Sequence, residues 1–161
     1  MRLFIFIFLM SFSVQSWSFS NSLNEQDELC LRDSIASYAQ EFIGIPYVWG
    51  GSSTSGFDCT GFVYYVFKKF GIKVSRASSG YENKGEKVEQ NSCQAGDIIL
   101  FTGTNAAIRK VGHAGIVLKN ENGIIDFIHS SSSKKHFGVT ITRFNESGYV
   151  KRFLRVINVI S

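Results

Sequence analysis

Five short apolar runs close this chain: Asp97 to Thr102, His113 to Lys119, Ile124 to His129, Val139 to Arg143 and Arg152 to Val159, with Gly and Asn between them. Runs of that length and punctuation predict antiparallel strands. The helical periodicities lie upstream. Leu31, Ile35, Tyr38, Ala39 and Phe42 predict a helix over 29–42, stopped by Gly44 and Pro46. Cys59, Phe62, Val63, Val66, Phe67 and Phe70 form a second apolar stripe, with Lys68 and Lys69 on the wet side and Gly71 just past the end. Helices first and strands afterwards predict an α+β domain, its N-terminal helices packed on a central antiparallel sheet of about five strands. At 161 residues, 44% of them hydrophobic and one of them Pro, a single core is expected.

The second stripe opens in Gly-Phe-Asp-Cys-Thr-Gly-Phe, which sets Cys59 in the first turn of its helix, with Asp58 or Ser55 available as the cap. A helix start carries unpaired N–H groups and partial positive charge, which favour thiolate over thiol. The segment by itself admits two readings, a reactive thiolate and a small buried hydrophobe. Just before it, Ile45 to Gly51 is too aromatic for a linker and too rich in Gly for a strand interior, so a loop packed beside the Cys59 helix is expected. Residues 75–95 are polar and read as irregular.

The first residues read as an export signal: Arg2, the apolar run Leu3 to Met10, then small and polar residues. The run is shorter than the roughly 20 apolar residues that span a bilayer. This divides the chain into a signal peptide over 1–18, a loose polar leader over 19–28 and one domain over 29–161, with no transmembrane segment in the mature chain. Three cysteines in an exported chain leave at least one unpaired, and Cys59 is the choice for the free thiol. Whether Cys30 and Cys93 pair stays open. The net charge of +4 is modest and evenly spread. It excludes a strongly basic nucleic-acid module and suits an acidic polymer, though a mildly basic surface also serves solubility.

A thiol that attacks an amide needs a partner titrating near neutrality, and the chain offers His113, His129 and His136. The strands carrying the first two flank Glu121-Asn122-Gly123, which suits a three-residue hairpin loop pairing Asn120 with Ile124. Counted back from that closure, Gly115 faces His129 and His113 faces Ser131. The two imidazoles then share a sheet face as diagonal neighbours, about 7–8 Å apart or less at Cβ. A two-residue Asn-Gly turn would shift the register by one and send them to opposite faces. A zinc site from Cys59, His113, His129 and His136 fits by residue type, but none of the usual short ligand spacings is present. No metal and no cofactor is called for.

These residues resemble the NlpC/P60 cell-wall peptidases, papain-like cysteine enzymes of bacteria. The likeness runs from about Leu29 to Val159 and is carried by Pro46-Tyr47-Val48-Trp49-Gly50-Gly51, Gly56-Phe57-Asp58-Cys59-Thr60-Gly61-Phe62-Val63, Gly96-Asp97-Ile98-Ile99-Leu100-Phe101 and His113-Ala114-Gly115-Ile116-Val117. It implies a papain-like fold, with Cys59 as nucleophile, His113 as base and His129 as the residue orienting that base. It also implies that Tyr47 and Asp58 line the substrate groove and that Arg76 and Ser78 border it. Thr60 stands where serine is more usual, and an insertion over 104–111 precedes His113. The implied function is an exported peptidoglycan hydrolase, cutting an amide in stem peptides or crosslinks through a thioester. The partner is then the peptidoglycan stem peptide, with no nucleic acid, and the protein a monomer in the periplasm or on the cell surface. The rival readings are a secreted effector amidase, an acyltransferase of related fold and an inactive wall-binding protein.

Overall fold

The computed structural model describes residues 12–134 and 136–160. Of the expected export signal, residues 1–11 lie outside the described residues. The chain divides into two compact units, one ending at Leu31 and one spanning Arg32–Ser161, and the second carries the sheet and the site. Helix α1 covers Phe12–Gln40, so the polar stretch 19–28 is helical rather than loose. Residues 24–27 all face water there, and with neither Gly nor Pro across the stretch nothing breaks the helix. No helix among the described residues is long and apolar enough to cross a membrane.

Helix α2 covers Cys59–Lys69, and its stripe is buried as the spacing predicts: Phe62, Val63, Val66 and Phe67 are inaccessible to solvent. Each such side chain contributes roughly 1.5–3 kcal/mol by leaving water. Ile35, Ala39 and Phe42 are buried at the end of the first helical segment, where Phe42 meets Phe57 and Tyr65 edge-on. Arg32 reaches from the same segment to Asp97, 2.8 Å from Nη1 to Oδ1, with both side chains almost fully buried.

The strands are β1 (Ser52–Ser53), β2 (Gly56–Phe57), β3 (Glu86–Val88), β4 (Ile98–Thr102), β5 (Val111–Glu121), β6 (Ile124–Ser131), β7 (Gly138–Arg143) and β8 (Phe153–Asn158). The first two make a small hairpin just before Cys59. The rest form one antiparallel sheet in the order β3-β8-β4-β5-β6-β7. Among the described residues this sheet has six strands, the five expected from the apolar runs and one more. The extra one is β3, an edge strand of three residues within a segment too polar and short to show a periodicity. β4 is buried along its whole length. α2 packs over β5 and β6, and a cluster around Ile99, Phe101, Val117, Phe127 and Phe144 fills a core.

The β5–β6 hairpin departs from expectation and then returns to it. Glu121 pairs with Ile124, so the loop is the two-residue Asn122-Gly123 turn, both residues left-handed at φ 55° and 85°. That turn alone would misplace the histidines. The register shifts between Val117 and Lys119, however, leaving Leu118 as a bulge, and Ile116 then pairs with Ile128. Past the bulge the ladder is the one counted from the sequence. Gly115 sits across from His129, and a Cβ there would lie 3.2 Å from His129 Cβ and 2.6 Å from the Phe127 ring. The hairpin tip has its own anchors: Asn120 Nδ2 donates to Asn91 O and Cys93 O, and Asn145 Oδ1 accepts from the Ile125 N–H.

Candidate active site

α2 starts at Cys59 because Asp58 caps it. The Asp58 backbone is extended, at φ −85° and ψ 176°, and Oδ1 accepts from the Gly61 N–H at 2.7 Å. Arg76 grips the same carboxylate through two nitrogens, at 2.9 and 2.7 Å, and also donates to Gly51 O at 3.1 Å. The 45–51 loop is thereby tied to the helix start, beside which the sequence predicts it. Asp58 and Arg76 neutralise each other while facing the cavity.

Cys59 is partly buried and takes hydrogen bonds from the backbone of Ala114, the residue after His113, and of Thr60. Burial raises its thiol above the ordinary value, the charge of Asp58 adds to that, and the backbone donors only partly offset it. Burial therefore works against the thiolate that the helix start favours. Of the other thiols, Cys93 is buried, unlinked by any disulfide and bonded by Asn120 Nδ2 at 3.5 Å.

His113 stands on β5 opposite Phe101, and His129 on β6 opposite Thr140. Their rings meet edge to face, with His113 Nε2 2.9 Å from His129 Nδ1. The second nitrogen of His129, Nε2, lies 3.0 Å from Thr142 Oγ1. Tyr149 stacks on His113 at 5.3 Å and places its hydroxyl 3.4 Å from Nε2. Phe127 stacks on His129 at 4.8 Å. Burial pushes the His113 imidazole well below its ordinary range, helped by His129 and Arg152, and burial with Arg152 and His136 takes His129 down to about 3. Both rings are neutral at neutral pH, so each carries one N–H, and one hydrogen serves the contact between them.

A cavity of about 800 Å³ gathers the sequence candidates. Cys59 and His113 line it, as do Tyr47, Asp58, Arg76 and Ser78. His129 does not. It lies behind His113, 1% exposed, and borders a second cavity of about 630 Å³ with Thr142 and His136. Gly103 and Thr104, at the start of the inserted segment, also reach the first cavity. Among the described residues no three His, Cys, Asp or Glu side chains converge as a metal site would need.

The profile of the NlpC/P60 family matches residues 44–158. This chain belongs to the NlpC/P60 family. Over 121 residues it is 31% identical to the gamma-D-glutamyl-L-lysine dipeptidyl-peptidase of Bacillus cereus, covering 75% of this chain and 34% of that protein. It is 30% identical over 132 residues to murein DD-endopeptidase MepS/murein LD-carboxypeptidase of Escherichia coli, covering 81% and 64%. A crystal structure of an NlpC/P60 family protein from Bacillus cereus superposes with a TM-score of 0.70 at 28% identity, over 81% of this chain and 40% of that one. The chain thus spans only about a third of the first relative's length and under two thirds of the second's.

Three residues of this NlpC/P60 site escape sequence reasoning. Thr142 is the diagonal neighbour of His129 on the next strand, but the six residues between β6 and β7 leave that register unspecified in the sequence. Tyr149 and Arg152 lie in the irregular stretch before β8, where no periodicity tells which side chain turns inward.

Proposed function

We propose that this chain is an exported cysteine endopeptidase that cleaves an amide bond in peptidoglycan stem peptides or their crosslinks. The observation that carries the reading is the 2.9 Å bond between His113 and His129, with His113 lining the same cavity as Cys59. The names of the relatives supply the substrate class, and the apolar start of the chain after Arg2 supplies export.

Two proton arrangements satisfy the imidazole pair, and one suits a base. With the hydrogen on His113 Nε2 donated to His129 Nδ1, the His129 hydrogen sits on Nε2 and is donated to Thr142 Oγ1. His113 Nδ1 then keeps a lone pair. The thiol gives its proton to that nitrogen as sulfur bonds the amide carbon, because a thiol raised by burial does not ionise unaided. The N–H of Cys59 is among the donors for the oxyanion. The C–N bond breaks, and the imidazolium returns its proton to the departing amine. Water then attacks the thioester as His113 accepts one of its protons. The C–S bond opens as the imidazolium returns that proton to sulfur, and the carboxylic acid formed releases its own proton to solvent.

His129 offers an acceptor without negative charge, so it orients His113 more than it stabilises the imidazolium. Tyr47, Asp58, Arg76 and Ser78 line the groove, and Asp58 and Arg76 also hold the nucleophile's helix in place. Digestion of purified muropeptides, with mass spectrometry of the products, tests the reading. New termini at one amide, absent with Cys59→Ser, are expected; no products from the intact protein would overturn it.

A further inference from the structure

Three arginines line the two cavities, and two of them have carboxylates of their own. Arg76 is paired with Asp58 at 2.7 Å, and Arg143 with Asp126 at 3.1 Å and Glu146 at 3.7 Å. Arg152 differs. Its Nε and Nη2 donate to Thr102 O at 3.3 and 2.8 Å, its plane covers the Tyr149 ring at 4.9 Å, and its remaining side-chain hydrogen bond is with Tyr149. All of these partners are neutral. Among the described residues, no carboxylate lies within ion-pair distance of Arg152.

Its position is as informative as its missing counter-charge. The cavity holding Cys59 and the one bordering His129 share Ser131, Ser133, Tyr149 and Arg152 as walls, so this guanidinium sits where the two meet. A partly buried cation with only neutral partners has lost hydration without gaining an anion. The planar fork of a guanidinium matches a carboxylate.

We propose that Arg152 forms an anion subsite that binds a carboxylate of the substrate peptide, beyond the amide that Cys59 attacks. The inference rests on the peptidase reading above and extends it by naming a required group on the substrate. Such an anion also offsets the positive charge that bears on His113 and His129. A substrate with the carboxylate therefore meets a more basic imidazole than one without it.

The test is binding to the Cys59→Ala protein by titration calorimetry. The probes are two synthetic tripeptides, L-alanyl-γ-D-glutamyl-diaminopimelate with its terminal α-carboxylate free, and the same peptide with that group amidated. A charge-assisted bond of this kind predicts roughly ten- to a hundredfold tighter binding of the free acid. Adding Arg152→Gln should bring the two dissociation constants together, whereas Arg152→Lys should keep part of the gap. Equal affinities for the two probes in Cys59→Ala would overturn the subsite, as would a preference that survives Arg152→Gln. The Arg152→Gln result counts only with binding of the amidated probe retained at the Cys59→Ala level, which a general loss of structure would abolish. Hydrolysis by the intact protein is scored separately: a preference without cleavage supports the subsite and counts against the peptidase reading.

Discussion

His129 Nε2 lies 3.0 Å from Thr142 Oγ1, so the imidazole behind His113 is held at both of its nitrogens. Replacing Thr142 with Val removes that acceptor and leaves the proton arrangement of the pair undetermined. A fall in kcat of about tenfold with KM unchanged is expected, the worth of one buried hydrogen bond. Thr142→Ser should recover most of it, and a Val variant as active as the parent would remove Thr142 from the chain of bonds.

On the mechanism proposed above, variants at Cys59 and at His129 should differ in the activity they leave. Cys59→Ser should abolish muropeptide hydrolysis, while His129→Ala leaves a measurable remainder because His113 can still accept the proton. Equal loss in both variants would contradict the roles assigned to them.

Alkylation reports on the thiol directly. With Cys59 raised by burial, its reaction with iodoacetamide should climb with pH through the ordinary thiol range, near about 8.5, and beyond. A rate already level below neutrality would reveal a preformed thiolate instead.

The imidazole pair makes the fold sensitive to acid. In the folded chain His129 is held down to about 3 and His113 is also lowered, whereas both take up protons near about 6.5 once unfolded. Between those values the unfolded state binds more protons, so stability is full above about pH 6.5 and falls as pH drops towards about 3. Thermal melts across that window should show the loss, and His129→Asn should flatten it. A slope unchanged by the substitution would place the proton uptake elsewhere.

The buried ion pair between Arg32 and Asp97 gives a stability prediction independent of chemistry. Arg32→Met removes the counter-charge of a buried carboxylate and should cost about 3–5 kcal/mol in urea unfolding. A loss under about 1 kcal/mol, the level of a surface pair, would show that the pair is effectively solvated.

What the sequence discloses here depends on the range of the cause. The stripe from Phe62 to Phe67 is legible because one helix face is buried along its length, and the five longer strands because each is an apolar run bounded by Gly or Asn. Family likeness supplies Tyr47, Asp58, Arg76 and Ser78, and the structure sets all four around one cavity. β3 stays hidden because three exposed or half-exposed residues paired to β8 owe their conformation to the neighbour. The protonation of Cys59 is hidden for a similar reason. The helix start is local and visible, but the burial that works against it comes from the rest of the fold.

Leu118 works as an expansion joint. Distal to it the hairpin tip follows its Asn-Gly corner and is pinned by Asn120 and Asn145; proximal to it the rungs obey the imidazole pair. The rung at His113 therefore keeps a register different from that of the corner. Exchanges at the tip itself, among residues 121–124, should register as local fraying in hydrogen exchange while turnover is untouched, which makes this tip a tolerant place to attach a reporter.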